Sequence, residues 1–171
     1  MGLSIQRIDG CRISPALVTL SSMTIRIEAC DHLPDDARAI RERVFIRERD
    51  WRPEFEEWDA VSVHLLAFEP TDPGRAVATC RFYADPDHPD QPGRYIIARL
   101  AVLPEAQGQR IGSRLLADAE RRIARLGGTM AAVHSENDHY GFYEQRGYRL
   151  TDEVYEGGRH GWLVKDLPGL A

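Results

Sequence analysis

The chain has 171 residues, 43% hydrophobic and 29% charged, a size and composition that fit one soluble domain with a real core. Its net charge of −5 argues against a nucleic-acid or membrane-surface role, and its 22 basic residues, of which only Lys165 is a lysine, are scattered rather than clustered. Cys11, Cys30 and Cys80 form no C-x-x-C pair, the histidines show no ligand spacing, and no signal peptide or long apolar span is visible, so the expectation is a cytoplasmic protein with no metal.

Residues 1–22 show little periodicity and read as a poorly ordered extension ahead of a domain spanning 23–171. Ile25 and Ile27 alternate as in a strand. Pro34 suits a first helical turn, after which Ala37, Ile40 and Val44 recur at helical spacing. The acidic "RDWRPEFEEWDAVS" reads as a loop or short helix. Three hairpin strands follow at 63–68, 75–83 and 94–102, the last two separated by the proline-rich loop 84–93. A helix is expected from near Gln109 to Leu126, with Ile111, Leu115, Leu116, Ala119, Ile123 and Leu126 on its apolar face. Then come a buried strand at 129–134, a short helix capped by Asn137 or Asp138 and stopped by Gly147, and two strands around Gly157-Gly158. Hairpins followed by a strand–helix–strand unit indicate an α/β domain with a mixed sheet.

Chemistry concentrates in "RLAVLPEAQGQRIGSRLL", residues 99–116. A buried strand ends, Pro104 breaks it, and a glycine-bearing turn opens an amphipathic helix whose first N–H groups point at an anion. Gly108 and Gly112 leave room for a phosphate, and Gln107, Arg110 and Ser113 offer side-chain donors. The lysine of a nucleotide P-loop and the G-x-G-x-x-G of a dinucleotide fold are both missing.

Together with "HSENDHYGFYEQRGY" downstream, this segment resembles the GNAT superfamily of acyl-CoA-dependent N-acyltransferases, over Thr24 to about Asp166. The family's Gln/Arg-x-x-Gly-x-Gly/Ala turn is met by Gln107 and Gly112, with Arg110 in place of the middle glycine. A negative φ, as in a first helical turn, would accommodate that arginine. Further stretches, "RERVFIRERD", "EFEEWDAVSVHLLAF" and "HSENDHYGFYEQRGYRLTDEVYEGGRHGWLV", look like the ElaA-like branch, matching Glu57, Asp59, His64 and, after a glycine turn, His160; an acidic position usual in that branch falls near Ser62.

The resemblance implies a single α/β domain: a mixed, mostly antiparallel sheet of about 6–7 strands, splayed between its two central strands and flanked by about 4 helices. It implies acetyl-CoA as co-substrate, held by Leu100, Ala101 and Val102 of the splayed strand, by the turn Gln107, Gly108, Gln109, Arg110, Ile111, Gly112 and Ser113, and by Asn137 and Tyr143. Tyr143 in "GFYEQRGY" matches the tyrosine that faces the thioester sulfur, and a phenol of pKa about 10 is a plausible proton donor to a thiolate of about 8.5. Glu57 and Asp59 are candidate bases, or else a solvated acidic loop that selects a cationic acceptor. Arg99, His64 and His160 are candidates for the substrate pocket; against these stand a surface ion pair for Arg99 and a satisfied core histidine for His64, a reading that extends to His134. The expected reaction is acetyl transfer to a primary amine, carried by a small molecule or a peptide. A catalytically weak acyl-CoA-binding regulatory module is the alternative. Oligomeric state stays open, a homodimer included.

Overall fold

The Ile25/Ile27 alternation opens β1 (Arg26–Cys30), the first of seven strands in a computed structural model that describes residues 25–50 and 55–169. The expected extension, residues 1–22, lies outside the described residues. The helix α1 (Asp35–Arg41) follows, with Pro34 as its N-cap, and passes directly into a π-helical turn at Glu42–Arg47. A 3₁₀ turn at Glu57–Ala60 precedes β2 (Val63–Glu69), β3 (Asp72–Ala84) and β4 (Arg94–Val102). Asp85 anchors the β3–β4 loop by accepting hydrogen bonds from Arg94 Nε at 2.7 Å and from the Asp87 amide at 3.0 Å.

The expected long helix is α2 (Ile111–Arg125). It begins two residues later than its apolar pattern suggests because Arg110 is left-handed, with φ 61° and ψ 18°, and cannot join a right-handed turn. Ile111, Leu115, Leu116, Ala119 and Ile123 are buried as expected, whereas Leu126 caps the helix and is exposed. β5 (Met130–Glu136) runs two residues past its expected end. A 3₁₀ turn at Asn137–His139 leads into α3 (Tyr140–Glu144); neither Asn137 nor Asp138 caps it through a side chain, contrary to expectation. β6 (Arg149–Tyr155) and β7 (His160–Asp166) close the chain. Among the described residues no helix is long and apolar enough to cross a membrane.

The strands form one sheet in the order β1-β2-β3-β4-β5-β7-β6, antiparallel throughout except between β4 and β5. That parallel junction is short. It pairs Arg94 with Met130, Tyr95 with Ala131 and Ile96 with Ala132, and then the strands part. On its other side β4 follows β3 but with one residue too many: Thr79 faces Ala101, while Arg81 faces Ala98. The extra residue makes a β-bulge in which Arg99 takes φ 57°.

Side chains of a strand alternate between faces, so the register sorts the residues near the gap. Cys80 lies within electrostatic reach of Asp118 and Arg122 on α2, which marks one face. Arg81 and its cross-strand neighbours His64 and Ala98 belong to the other, toward α1 and the 3₁₀ turn at Glu57–Ala60. Following Ile96 across to Ala132 places His134 and Glu136 on this second face as well.

Candidate active site

The gap between β4 and β5 opens onto both faces, and each has its own chemistry. On the α2 side, the 3₁₀ turn Pro104–Ala106 and Gly108, with φ 77°, carry the chain from β4 to the left-handed Arg110. The first helical hydrogen bond in the turn runs from the Arg114 amide to the Arg110 carbonyl at 3.1 Å, so the amides of Ile111, Gly112 and Ser113 are not spent within the helix. Arg110 does not have the negative φ expected of it. An L-residue there stores roughly 1–2 kcal/mol of backbone strain, the physical reason a glycine suits this position. At Gly112 a Cβ would sit 3.4 Å from Val102 Cγ2 and 3.9 Å from Phe142 Cζ, filling the cradle between β4, α2 and α3.

Several expected ligands face other work. Gln107 donates from Nε2 to the Val102 carbonyl at 3.1 Å, bracing the turn against its own strand. The Ser113 hydroxyl is held by Arg146, whose Nε lies 3.0 Å away and whose guanidinium sits over the Phe142 ring at 3.8 Å. Ile111 is buried, so only its amide faces the turn, while Gln109 and Asn137 are exposed. Arg146 was missed by sequence reading, although an arginine four residues after Phe142 on a helix is spaced to reach back to it.

Tyr143 lies on this same side, within reach of Cys80. Its ring packs edge-on against Phe142 and Tyr148, with centroids 5.0 and 5.6 Å away. Burial, with a smaller contribution from Cys80, pushes its pKa up to about 12. The phenol therefore holds its proton across the neutral range.

The opposite face carries an ion-pair lattice. Asp59 accepts from Arg41 Nη1 at 2.5 Å and Nη2 at 3.1 Å, from Arg81 Nη1 at 2.6 Å, and from the Glu56 amide at 3.2 Å. Both arginines are 1% exposed. Burial pulls the Asp59 pKa upward, but the Arg41 and Arg81 guanidiniums outweigh it and hold the pKa at about 2. Glu56 Oε1 accepts from Arg81 and, at 2.9 Å, from Arg99 Nη2. Glu56 N-caps the 3₁₀ turn and Asp59 stands three residues on, a reciprocal capping box.

Of the carboxylates expected to act here, Glu57 instead points to solvent and Asp59 is fully engaged; Glu56 is the one facing Arg99. His64 is 1% exposed and its Nε2 lies 2.9 Å from the Asp59 carbonyl, the satisfied core arrangement rather than a pocket wall. Burial lowers its pKa. Ser62, also buried, donates to the Trp58 carbonyl at 2.6 Å. Trp58 in turn stacks on Tyr83 at 5.4 Å.

Across the gap stands a wall of rings. His134 is tilted against Trp162 at 5.1 Å, stacked near His160 at 5.7 Å and edge-on to Tyr155 at 5.9 Å. Beyond it Glu136 lies 3.5 Å from Arg49 Nη1, and Arg49 Nη2 is 3.0 Å from His139 Nε2, so the segment after α1 reaches over the end of the opening.

A sheet split beside a bulged strand, followed by a glycine-bearing turn and a helix start, is the architecture the sequence resemblance implied, though the left-handed Arg110 in that turn is not. Residues 28–148 match the acetyltransferase (GNAT) family. The chain belongs to that family. Its GNAT fold is shared with a candidate N-acetyltransferase from Lactobacillus plantarum (TM-score 0.72, 26% identity, covering 84% of this chain and 99% of that one). Escherichia coli ElaA is similar as well, with TM-score 0.69, 19% identity and coverage of 83% and 99%. So is N-acetylglutamate synthase from Neisseria gonorrhoeae, solved with coenzyme A and N-acetylglutamate: TM-score 0.63, 19% identity, covering 84% of this chain and 35% of that one.

GNAT membership supports acyl-CoA binding and N-acyl transfer in general. The residues here fit such a group: unspent amides at the α2 start, a cradle at Gly112 that a Cβ would fill, and a β4 edge that β5 leaves unpaired beyond Ile96, where Gln107 takes the Val102 carbonyl.

Proposed function

We propose that this protein is an N-acetyltransferase that moves an acetyl group from acetyl-CoA to a primary amine by direct attack within a ternary complex. The observation that carries this reading is the two-faced gap. On the α2 side, α3 brings Phe142, the neighbour of Tyr143, within 3.9 Å of a Cβ placed at Gly112, while the Glu56–Arg99 pair and the ring wall border the gap from the other.

In this reading the β4 edge that β5 leaves open at Leu100, Ala101 and Val102 aligns the pantetheine arm, and an amide near the bulge polarises the thioester carbonyl. The Arg110 turn receives the pyrophosphate. The amine enters from the far face and bonds to the carbonyl carbon. As the C–S bond breaks, Tyr143 gives its phenolic proton to the sulfur. Its raised pKa is no obstacle, because the same burial that disfavours a phenolate also disfavours the departing thiolate. Glu57 and Asp59 receive no proton-transfer role: one is solvated, and the other is tied to two guanidiniums and positions the wall.

The test is thiol release from acetyl-CoA against a panel of small amines and peptides. Tyr143→Phe keeps the ring and should lower kcat by roughly 10²–10⁴-fold with acetyl-CoA affinity nearly intact. Binding of acetyl-CoA without amine-dependent thiol release would point to the regulatory module instead.

A further inference from the structure

All six histidines lie among the described residues, and five of them have a polar partner near a ring nitrogen. His32 meets Asp31 and His88 meets Asp85, each at 2.9 Å; His64 meets the Asp59 carbonyl and His139 meets Arg49; His160 lies 3.7 Å from Glu156. His134 has none among the described residues. Its ring is fixed by other rings alone, chiefly Trp162 and His160.

Its place in the sheet is equally specific. His134 stands two residues past Ala132, the last β5 residue paired with β4, on the face where Arg81 and Glu56 stand across the gap. An imidazole at that point, oriented by packing and with a lone pair unclaimed, is a base in waiting.

We propose that His134 accepts the proton of the acceptor amine, an inference that rests on the acyl-transfer reading above. A free alkylammonium, with a pKa near 10.4, is too weak an acid for an imidazole to deprotonate appreciably. The acceptor therefore enters as the free amine, its ammonium proton already lost to solvent, and one of its own N–H protons moves after the nitrogen has bonded to the thioester carbon, when that nitrogen is far more acidic. His134 takes it, the adduct collapses with loss of the thiolate, and Tyr143 protonates the sulfur. The products are amide and thiol; the imidazolium then returns its proton to solvent and the phenolate regains one.

Every element around His134 bears on its charge. Arg99 on β4 and His160 on β7 oppose a second cation, Tyr155 on β6 contributes a neutral ring, and Glu136 on its own strand is tied to Arg49. Glu156 in the β6–β7 turn lies closer to His160 than a ring-stacking distance, at 3.7 Å. Burial, then His160, then Arg99 lower its pKa, leaving His134 a free base at neutral pH. Glu56, the alternative across the gap, already accepts from two arginines at one oxygen.

The experiment compares wild-type protein with His134→Gln and His134→Ala at saturating acetyl-CoA, reading kcat/KM for the best amine of the panel from about pH 5 to pH 9, calculated on the concentration of free amine at each pH so that the amine's own ionisation drops out. Wild type should show an acid limb with its midpoint below the ordinary histidine value of about 6.5. His134→Gln should lose that limb and fall roughly 10²–10⁴-fold in rate, with acetyl-CoA affinity and melting temperature close to the parent. Added imidazole should restore part of the rate to His134→Ala. An acid limb and rate that persist in His134→Gln overturn the inference while leaving the acetyltransferase reading standing. Absence of amine-dependent thiol release from the wild type overturns both.

Discussion

The two walls of the gap are built on opposite principles. The β3–β4 wall is a lattice of charge: Arg41, Arg81 and Arg99 against Asp59 and Glu56, in which Asp59 joins the two buried guanidiniums and only Arg81 Nε is left without a partner among the described residues. The β5–β7 wall is a stack of rings, His134, His160, Trp162 and Tyr155, in which orientation comes from packing. A side chain whose hydrogen bonds are all spent within the protein positions well but exchanges protons poorly, whereas one held by its faces keeps its nitrogens available. The difference teaches that the acidic segment, chemically the more conspicuous, is scaffold.

The sharpest way to break the comparison is Asp59→Ala. It takes the shared carboxylate from two guanidiniums that are 1% exposed, and removing one partner of a buried pair typically costs about 3–5 kcal/mol. Chemical denaturation should show a loss of that order. A loss like that of an ordinary surface substitution would mean the lattice is not what holds this wall.

Acid titration separates the walls more gently. The His64 and His134 pKa values are both lowered in the folded state, so the stability linked to them is present above the ordinary histidine value and is lost as pH falls through the folded values. His64 is buried against Asp59, whereas His134 is the more open of the two. Denaturation midpoints at about pH 7 and pH 5 should therefore converge more in His64→Gln than in His134→Gln. The reverse order would make the ring wall the more rigid one.

Glu57→Gln should do least. Its neighbour Glu56 carries the contacts, and an exposed residue with no partner among the described residues usually changes stability by no more than about 0.5 kcal/mol. Thiol-release rates should likewise be unchanged. A shifted pH–rate profile would return Glu57 to the mechanism.

Much of this was legible in the chain. "RYIIARLAV" marks β4 to the residue, and the α2 stripe from Ile111 to Ile123 gives the helix and its buried face. Long-range facts were not. Asp59 meets Arg41 and Arg81 at separations of 18 and 22 residues, so "EEWD" by itself shows only an acidic turn. An arginine inside the apolar run "ATCRFY" was the available clue, since a buried charge demands a partner. Choosing Glu56 over Glu57 depended on the phase of a single 3₁₀ turn. His134 read as core because its strand looked buried to the end; only the parting of β4 and β5 uncovers that face. The left-handed arginines at 99 and 110 carry no local signature, because arginine has no special liking for that conformation.

The bulge at Arg99 acts on β4 as a one-letter insertion acts on a reading frame. A strand spells its two faces in alternate letters, so Ala98 and Ala101, three positions apart, should read on opposite faces. The insertion puts both in register with the same face, opposite Arg81 and Thr79, and leaves Val102 reading toward Gly112. Even-numbered positions thus read on the acceptor side before the insertion, as at Ala98, and on the helix side after it, as at Val102. It follows that deleting Leu100 would erase the insertion without changing the message downstream, since Ala101 would still meet Thr79 and Val102 would still meet Ala78, whereas a second insertion just beyond it would send Val102 to the wrong face.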